Sequence, residues 1–270
     1  MQPGLADPFA GVHSPFAVIA RALSRGILEG PEAINLAPEK RQNGRQVNQR
    51  RAYLGRPGDY AREVLGVTLT EQQEHVLETI FNPTGRLRYM LQAGNNLGKT
   101  FVLACAVLYV WDVLAAQPGH GKKLGEQGAI IVLSGPAWQQ VADTIFSQVV
   151  AIKDQALERG YPMCGTWSGG VDEKGESTGI IPKANMGARW YLRTVTPRKK
   201  VGQKVAHGFS GRHQRNLWVF LCEAAGVDET VWAAANAMAS GEGNVIVADF
   251  NPTEPTGSAY RRAARGDRMR

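Results

Sequence analysis

Eight residues, Ala93-Gly94-Asn95-Asn96-Leu97-Gly98-Lys99-Thr100, lie between an apolar stretch of strand type and an apolar stretch of helix type. No other feature restricts the fold so tightly. A glycine-rich loop joining a strand to a helix lines up backbone N–H groups at the positive end of the helix, where phosphate oxygens bind. In that pattern Lys99 reaches the outer phosphates and the Thr100 hydroxyl binds Mg2+. Ala93 stands where the first glycine is usual, a small residue that keeps the loop tight. The eight residues thus read as a P-loop (Walker A) site for ATP and Mg2+.

The flanking pattern gives the architecture. Thr70 caps a helix, Gln73 completes a capping box, and Val76, Leu77 and Ile80 form one apolar face. Asn82 to Gly85 turns the chain, and Leu87 to Leu91 forms a short strand ending at the loop. The apolar run from Phe101 to Ala116 contains Asp112 and is predicted to be a buried helix, not a membrane span. Gln117 to Gln127 is a loop, Ala129 to Ser134 the clearest strand, and Pro136 opens a helix reaching about Leu157. Gly160 to Lys183 yields no assignment. Strands are predicted at Arg189–Val195, Leu217–Cys222 and Asn244–Ala248, with a helix over Glu229–Met238. Apolar strands alternating with helices predict an α/β fold with a mainly parallel central sheet flanked by helices, a P-loop NTPase of the ASCE type.

Three segments are expected. Residues 1–63 form a partly extended, basic N-terminal segment with a short helix from Phe16 to Ile27. Residues 64–262 form the ATPase domain, and 263–270 a basic tail. The first thirty residues lack a basic start followed by an apolar core, so no secretory leader is expected. Cys105, Cys164 and Cys222 lie far apart without metal-ligand spacing, which fits a reducing compartment.

The net charge of +7 is concentrated. Lys40, Arg41, Arg45, Arg50, Arg51, Arg56 and Arg62 crowd one stretch; Arg198, Lys199, Lys200 and Lys204 form a second. Arg261, Arg262, Arg265, Arg268 and Arg270 form a third. Such clusters suit a polyanion, since each neutralised phosphate releases counterions. They equally suit a solvated basic surface, and charge alone does not identify DNA.

ATP hydrolysis on a P-loop also needs a metal-associated carboxylate and a second one to polarise the attacking water. The run Leu217 to Leu221 ends in Cys222-Glu223, which makes Glu223 the general-base candidate and puts Cys222 in the metal-associated slot. A neutral thiol suits Mg2+ poorly, since this hard ion prefers oxygen. Three readings stay open: Thr100 and water suffice, Asp249 at the end of the next strand helps, or hydrolysis is weak. Gln73, about twenty residues before the loop, has an amide able to donate to and accept from an adenine edge.

The order of these motifs resembles the ATPase domain of the large terminase subunit, the DNA-packaging motor of tailed bacteriophages. The matching stretches are Val64 to Gln73, the P-loop, Leu133 to Val141, Cys222 to Trp232, and Asp249-Phe250-Asn251-Pro252-Thr253-Glu254-Pro255. They run from about Val64 to Tyr260. The resemblance implies that the last loop is the coupling motif, with Asn251 relaying the nucleotide state. It also implies an arginine finger, for which Arg193, Arg212 and Arg215 are candidates. Its implied partners are double-stranded viral DNA, the portal protein, the small terminase subunit and sister copies in a homo-oligomeric ring. Its implied place is the host cytoplasm, at the procapsid portal vertex, with no membrane. The chain departs from the family at Cys222, where aspartate is usual. It also lacks the acidic cluster of the RNase H-type nuclease domain, so an ATPase fragment without DNA cleavage is expected. A helicase-like ATPase and a nucleotide-gated DNA clamp with weak hydrolysis are the alternatives.

Overall fold

The computed structural model describes residues 46–81, 87–117, 127–167, 180–181, 190–195, 216–252 and 257–264. Helix α1 covers residues 46–51. Helix α2 runs over Pro57–Tyr60 and continues with π-type hydrogen bonding over Ala61–Leu65, stopped by left-handed Gly66. Then come α3 (Glu71–Phe81), β1 (Arg88–Gln92), and α4 (Lys99–Tyr109, extended through Val110–Leu114). Strand β2 (Ile130–Ser134) leads into α5, which spans Trp138–Val141, a π-type turn Ala142–Phe146, and Ser147–Glu158. After the short β3 (Thr166–Trp167) and β4 (Ile180–Ile181) come β5 (Tyr191–Thr194) and β6 (Leu217–Leu221). The chain continues through α6 (Glu229–Met238), β7 (Val245–Phe250) and α7 (Ser258–Ala264).

Five strands form one sheet in the order β1-β7-β6-β2-β5, and every pairing within it is parallel. A sheet of this kind is covered on both faces, which is why β2, β6 and β7 are buried along their whole length. Alternation along the strands divides the core in two. Ile131, Leu133, Phe220, Cys222 and Val247 pack with α4 and α5, whereas Ile130, Val219, Leu221, Ile246 and Ala248 pack with α6. The strand feeding the P-loop is separated from the Glu223-bearing strand by β7 alone. That order, with the loop at the C-terminal end of β1, is the strand arrangement of the P-loop NTPase fold of the ASCE type.

The strands predicted around the loop form close to their expected bounds, and β7 extends two residues further, through Phe250. The unassigned stretch 160–183 contains the antiparallel pair β3–β4. The boundary read between residues 63 and 64 cuts through a packed helix. Tyr60, Ala61, Val64 and Leu65 share one core with α4, and so does Val47 from α1. The helix predicted over Phe16–Ile27 lies outside the described residues.

A buried polar knot ties α1 to the body. The Arg50 guanidinium donates to Asp112 Oδ1 at 2.9 Å and to the Pro162 carbonyl at 2.7 Å, with arginine and aspartate side chains fully buried. The Tyr60 and Tyr161 hydroxyls donate to Asp112 Oδ2 at 3.2 and 2.7 Å. The charged residue that interrupts the apolar helix is therefore the hydrogen-bonded centre of this cluster.

Candidate active site

The site lies at the C-terminal edge of the sheet, where β1, β7 and β6 end side by side. Residues Gly94 to Leu97 form an exposed turn after β1, with Asn96 left-handed at φ 60°. Gly98 precedes α4, also left-handed at φ 73°, and offers no side-chain cap. The first hydrogen bond of the helix runs from the Val102 N–H to the Gly98 carbonyl, at 3.0 Å. The N–H groups of Lys99, Thr100 and Phe101 thus have no acceptor within the helix, and with the macrodipole they favour an anion.

Lys99 is 8% exposed and uses all three of its donors. Its ammonium bonds the Ala93 carbonyl at 2.9 Å, the Gly94 carbonyl at 2.6 Å and Asn251 Oδ1 at 2.6 Å. The Asn251 amide in turn donates to Glu223 Oε2 at 3.5 Å. Three residues from separate parts of the sequence form one chain of polar contacts. Glu223 is half-buried just past β6 and holds a left-handed backbone at φ 49°, an unusual conformation for a residue with a side chain.

Cys222 and Asp249 lie on adjacent strands, one step beyond the Leu221–Ala248 pair, and alternation turns both toward α4. Cys222 is 3% exposed, and burial, with Asp249 and Glu223 beside it, raises its thiol well above the ordinary value. Asp249 is 1% exposed, and neither of its oxygens receives a hydrogen bond. Burial pushes its carboxyl up to about 7; Glu223 adds to the effect and Lys99 opposes it. Among the described residues no group of three or more His, Cys, Asp or Glu is arranged to hold a metal unaided. The open helix end, the loop and the orphaned carboxylate fit a nucleotide with its metal.

Gln73 sits at the shoulder of the loop. Its Oε1 accepts from the Thr70 N–H at 3.0 Å, the Gln73 N–H donates to Thr70 Oγ1 at 3.3 Å, and its Nε2 donates to the Leu97 carbonyl at 3.3 Å. The capping box forms as the sequence predicts, and its far end braces the P-loop. Thr100 lies in the first turn of α4, partly exposed. Arg193 lies on β5, at the sheet edge opposite β1, with its guanidinium 5.7 Å from the Tyr191 ring centre. Arg212 and Arg215 lie outside the described residues, as do Thr253 to Pro255. Of the first basic cluster, Arg50 is held by Asp112, Arg56 by Asp59, and Arg62 by both Asp59 and Glu74. Arg262 pairs with Glu229. Asp249 was legible as an acidic residue ending a strand, but nothing local marked it as buried without a partner.

No protein-family model and no curated protein sequence matches the chain. Among solved structures, it is similar to the ATPase domain of the large terminase of Thermus phage P74-26. The identity is 19%, the TM-score 0.45, and the match covers 72% of this chain and 69% of that one. It is also similar to the large terminase of another thermophilic bacteriophage, with 15% identity and a TM-score of 0.48, over 70% of this chain and 40% of that one. A complex of that terminase with ADP gives 15% identity and a TM-score of 0.44, over 68% and 38%. No helix among the described residues is long and apolar enough to cross a membrane.

Proposed function

We propose that this chain is the ATP-hydrolysing motor domain of a viral DNA-packaging terminase. The observation that carries the reading is the polar chain Lys99–Asn251–Glu223, which joins the P-loop lysine to a candidate general base through the loop after β7. The N–H groups around Gly98 and the Lys99 ammonium would hold the phosphates, and Thr100 would hold Mg2+. Bound there, the nucleotide supplies the phosphoryl group for transfer to water. Glu223 takes the proton from the attacking water. Asn251 steadies Glu223 and shares Lys99 with the phosphate site, so the occupancy of that site is felt at the base. Gln73 braces Leu97 and contributes to adenine recognition. An arginine finger from Arg212 or Arg215 belongs to the same reading, whereas Arg193 lies on the far sheet edge.

In this reading the partners are double-stranded viral DNA, the portal protein, the small terminase subunit and sister copies in a ring at the procapsid portal vertex. The order of motifs from Val64 to Tyr260 supports it. Steady-state ATPase measured with and without duplex DNA tests it, and stimulation by DNA that fades with salt is expected. Strand separation would favour a helicase. Tight nucleotide binding with negligible turnover would favour a nucleotide-gated clamp, the reading that the thiol at position 222 suggests.

A further inference from the structure

We infer that Asp249, on β7, is the carboxylate that orients the Mg2+ ion of this site, taking the role that Cys222 on β6 cannot fill. The inference rests on the P-loop reading of the site and deepens it. Asp249 is 1% exposed, and both its oxygens lack hydrogen-bond donors. The Cys222 thiol and the Glu223 backbone lie close by on the neighbouring strand, yet neither gives it a bond of good geometry. A carboxylate buried without donors has to be compensated by its own proton or by a cation, and at the end of a strand beside a phosphate loop a cation is at hand.

Position then says which cation. Asp249 is paired with Leu91 on β1, and the next residue, Phe250, accepts a hydrogen bond from the Ala93 N–H at 3.3 Å. The carboxylate therefore ends its strand beside the root of the P-loop. Strand alternation turns it toward α4, the helix whose first turn carries Lys99 and Thr100. In this sheet β7 lies between β1 and β6. A carboxylate at the end of β7 is thus nearer the P-loop strand than a residue at the end of β6. Cys222 offers a buried thiol, kept protonated by its surroundings, and Mg2+ takes oxygen. The neighbouring ammonium, Lys99, is already bonded to Ala93, Gly94 and Asn251. The remaining cation that the site's chemistry supplies is the metal that accompanies the nucleotide.

The test measures ADP affinity in Mg2+ and in EDTA for the wild type, Asp249→Asn and Cys222→Ala, alongside thermal melts without nucleotide. The wild type should bind ADP more tightly in Mg2+. Asp249→Asn should keep its affinity in EDTA within about twofold while Mg2+ affinity falls by roughly 10–100-fold, the usual loss for a group that orients a metal. Its nucleotide-free melting point should equal or exceed that of the wild type, because the amide removes a buried charge. Cys222→Ala should keep the full Mg2+ effect. If Asp249→Asn does not fold, Asp249→Ser carries the same measurement. An unchanged Mg2+ effect in the Asp249 variants, or its loss in Cys222→Ala, overturns the inference. Absence of ADP binding by the wild type in either buffer overturns the P-loop reading itself, and this inference with it.

Discussion

Lys99 and Asn251, 152 residues apart in sequence, are joined by a hydrogen bond of 2.6 Å between the lysine ammonium and the asparagine Oδ1. The same ammonium bonds two carbonyls of its own loop. On the proposed function a phosphate at the loop would compete for these donors, and Asn251 would register whether the site is filled. Lys99→Ala should reduce ATP turnover at least tenfold while the circular dichroism spectrum stays unchanged. Asn251→Ala should lower kcat more than it raises KM, because the residue touches Glu223 as well as the lysine; steady-state kinetics separate the two.

Glu223→Gln should bind ATP normally and lose about 10²–10⁴-fold in turnover, since the amide keeps the shape but takes no proton. Glu223→Gly is the complementary variant. It relieves the left-handed backbone at φ 49° and should raise stability by about 1 kcal/mol while abolishing hydrolysis. Denaturant melts and single-turnover assays on the pair distinguish a base from a merely structural residue.

Gly98→Ala should remove nucleotide binding. Its φ of 73° disfavours any side chain, and a Cβ there would lie 2.3 Å from Gln73 Nε2. Relief requires moving the glutamine that braces Leu97. Titration with a fluorescent ADP, with and without Gln73→Ala in the same chain, checks this. Partial recovery in the double variant is expected.

Asp112→Ala should destabilise the domain by about 3–5 kcal/mol, because it strands the buried Arg50 guanidinium without its partner. Replacing Arg50 and Asp112 together with Leu and Ala should cost less than Asp112→Ala alone. Urea unfolding of the wild type, Asp112→Ala, Arg50→Leu and the double variant closes the cycle.

Thiol labelling should divide the cysteines. Burial pushes the Cys105 thiol up to about 12 and the Cys222 thiol well above its ordinary range. Thiolate is the reactive form, so both stay silent in the folded protein at neutral pH. Cys164 is partly exposed and should react first. Stopped-flow labelling with an aromatic disulfide should show one early thiol, and two more only on unfolding.

Much of this was legible along the chain, where the cause is local. The capping box at Thr70 and Gln73 depends on residues three apart, and the P-loop on eight consecutive ones. The strands ending at Ser134 and Leu221 announce themselves as unbroken apolar runs. The short β3–β4 pair was not legible, because a two-residue strand carries no period to detect.

Residue order alone pointed to a loop of phosphate-binding pattern, an acidic strand end and a helix containing Asp112. The tertiary structure decided that β7 lies between β1 and β6, and this order brings Asn251 to Lys99, places Asp249 beside the P-loop, and leaves Arg193 on the far edge. It also decided that Arg50, read as part of a basic surface, is buried on Asp112. The reason is physical. A turn or cap is fixed by hydrogen bonds a few residues apart, whereas the neighbours of a strand are chosen by which apolar faces the whole sheet can bury, and no single stretch of sequence contains that information.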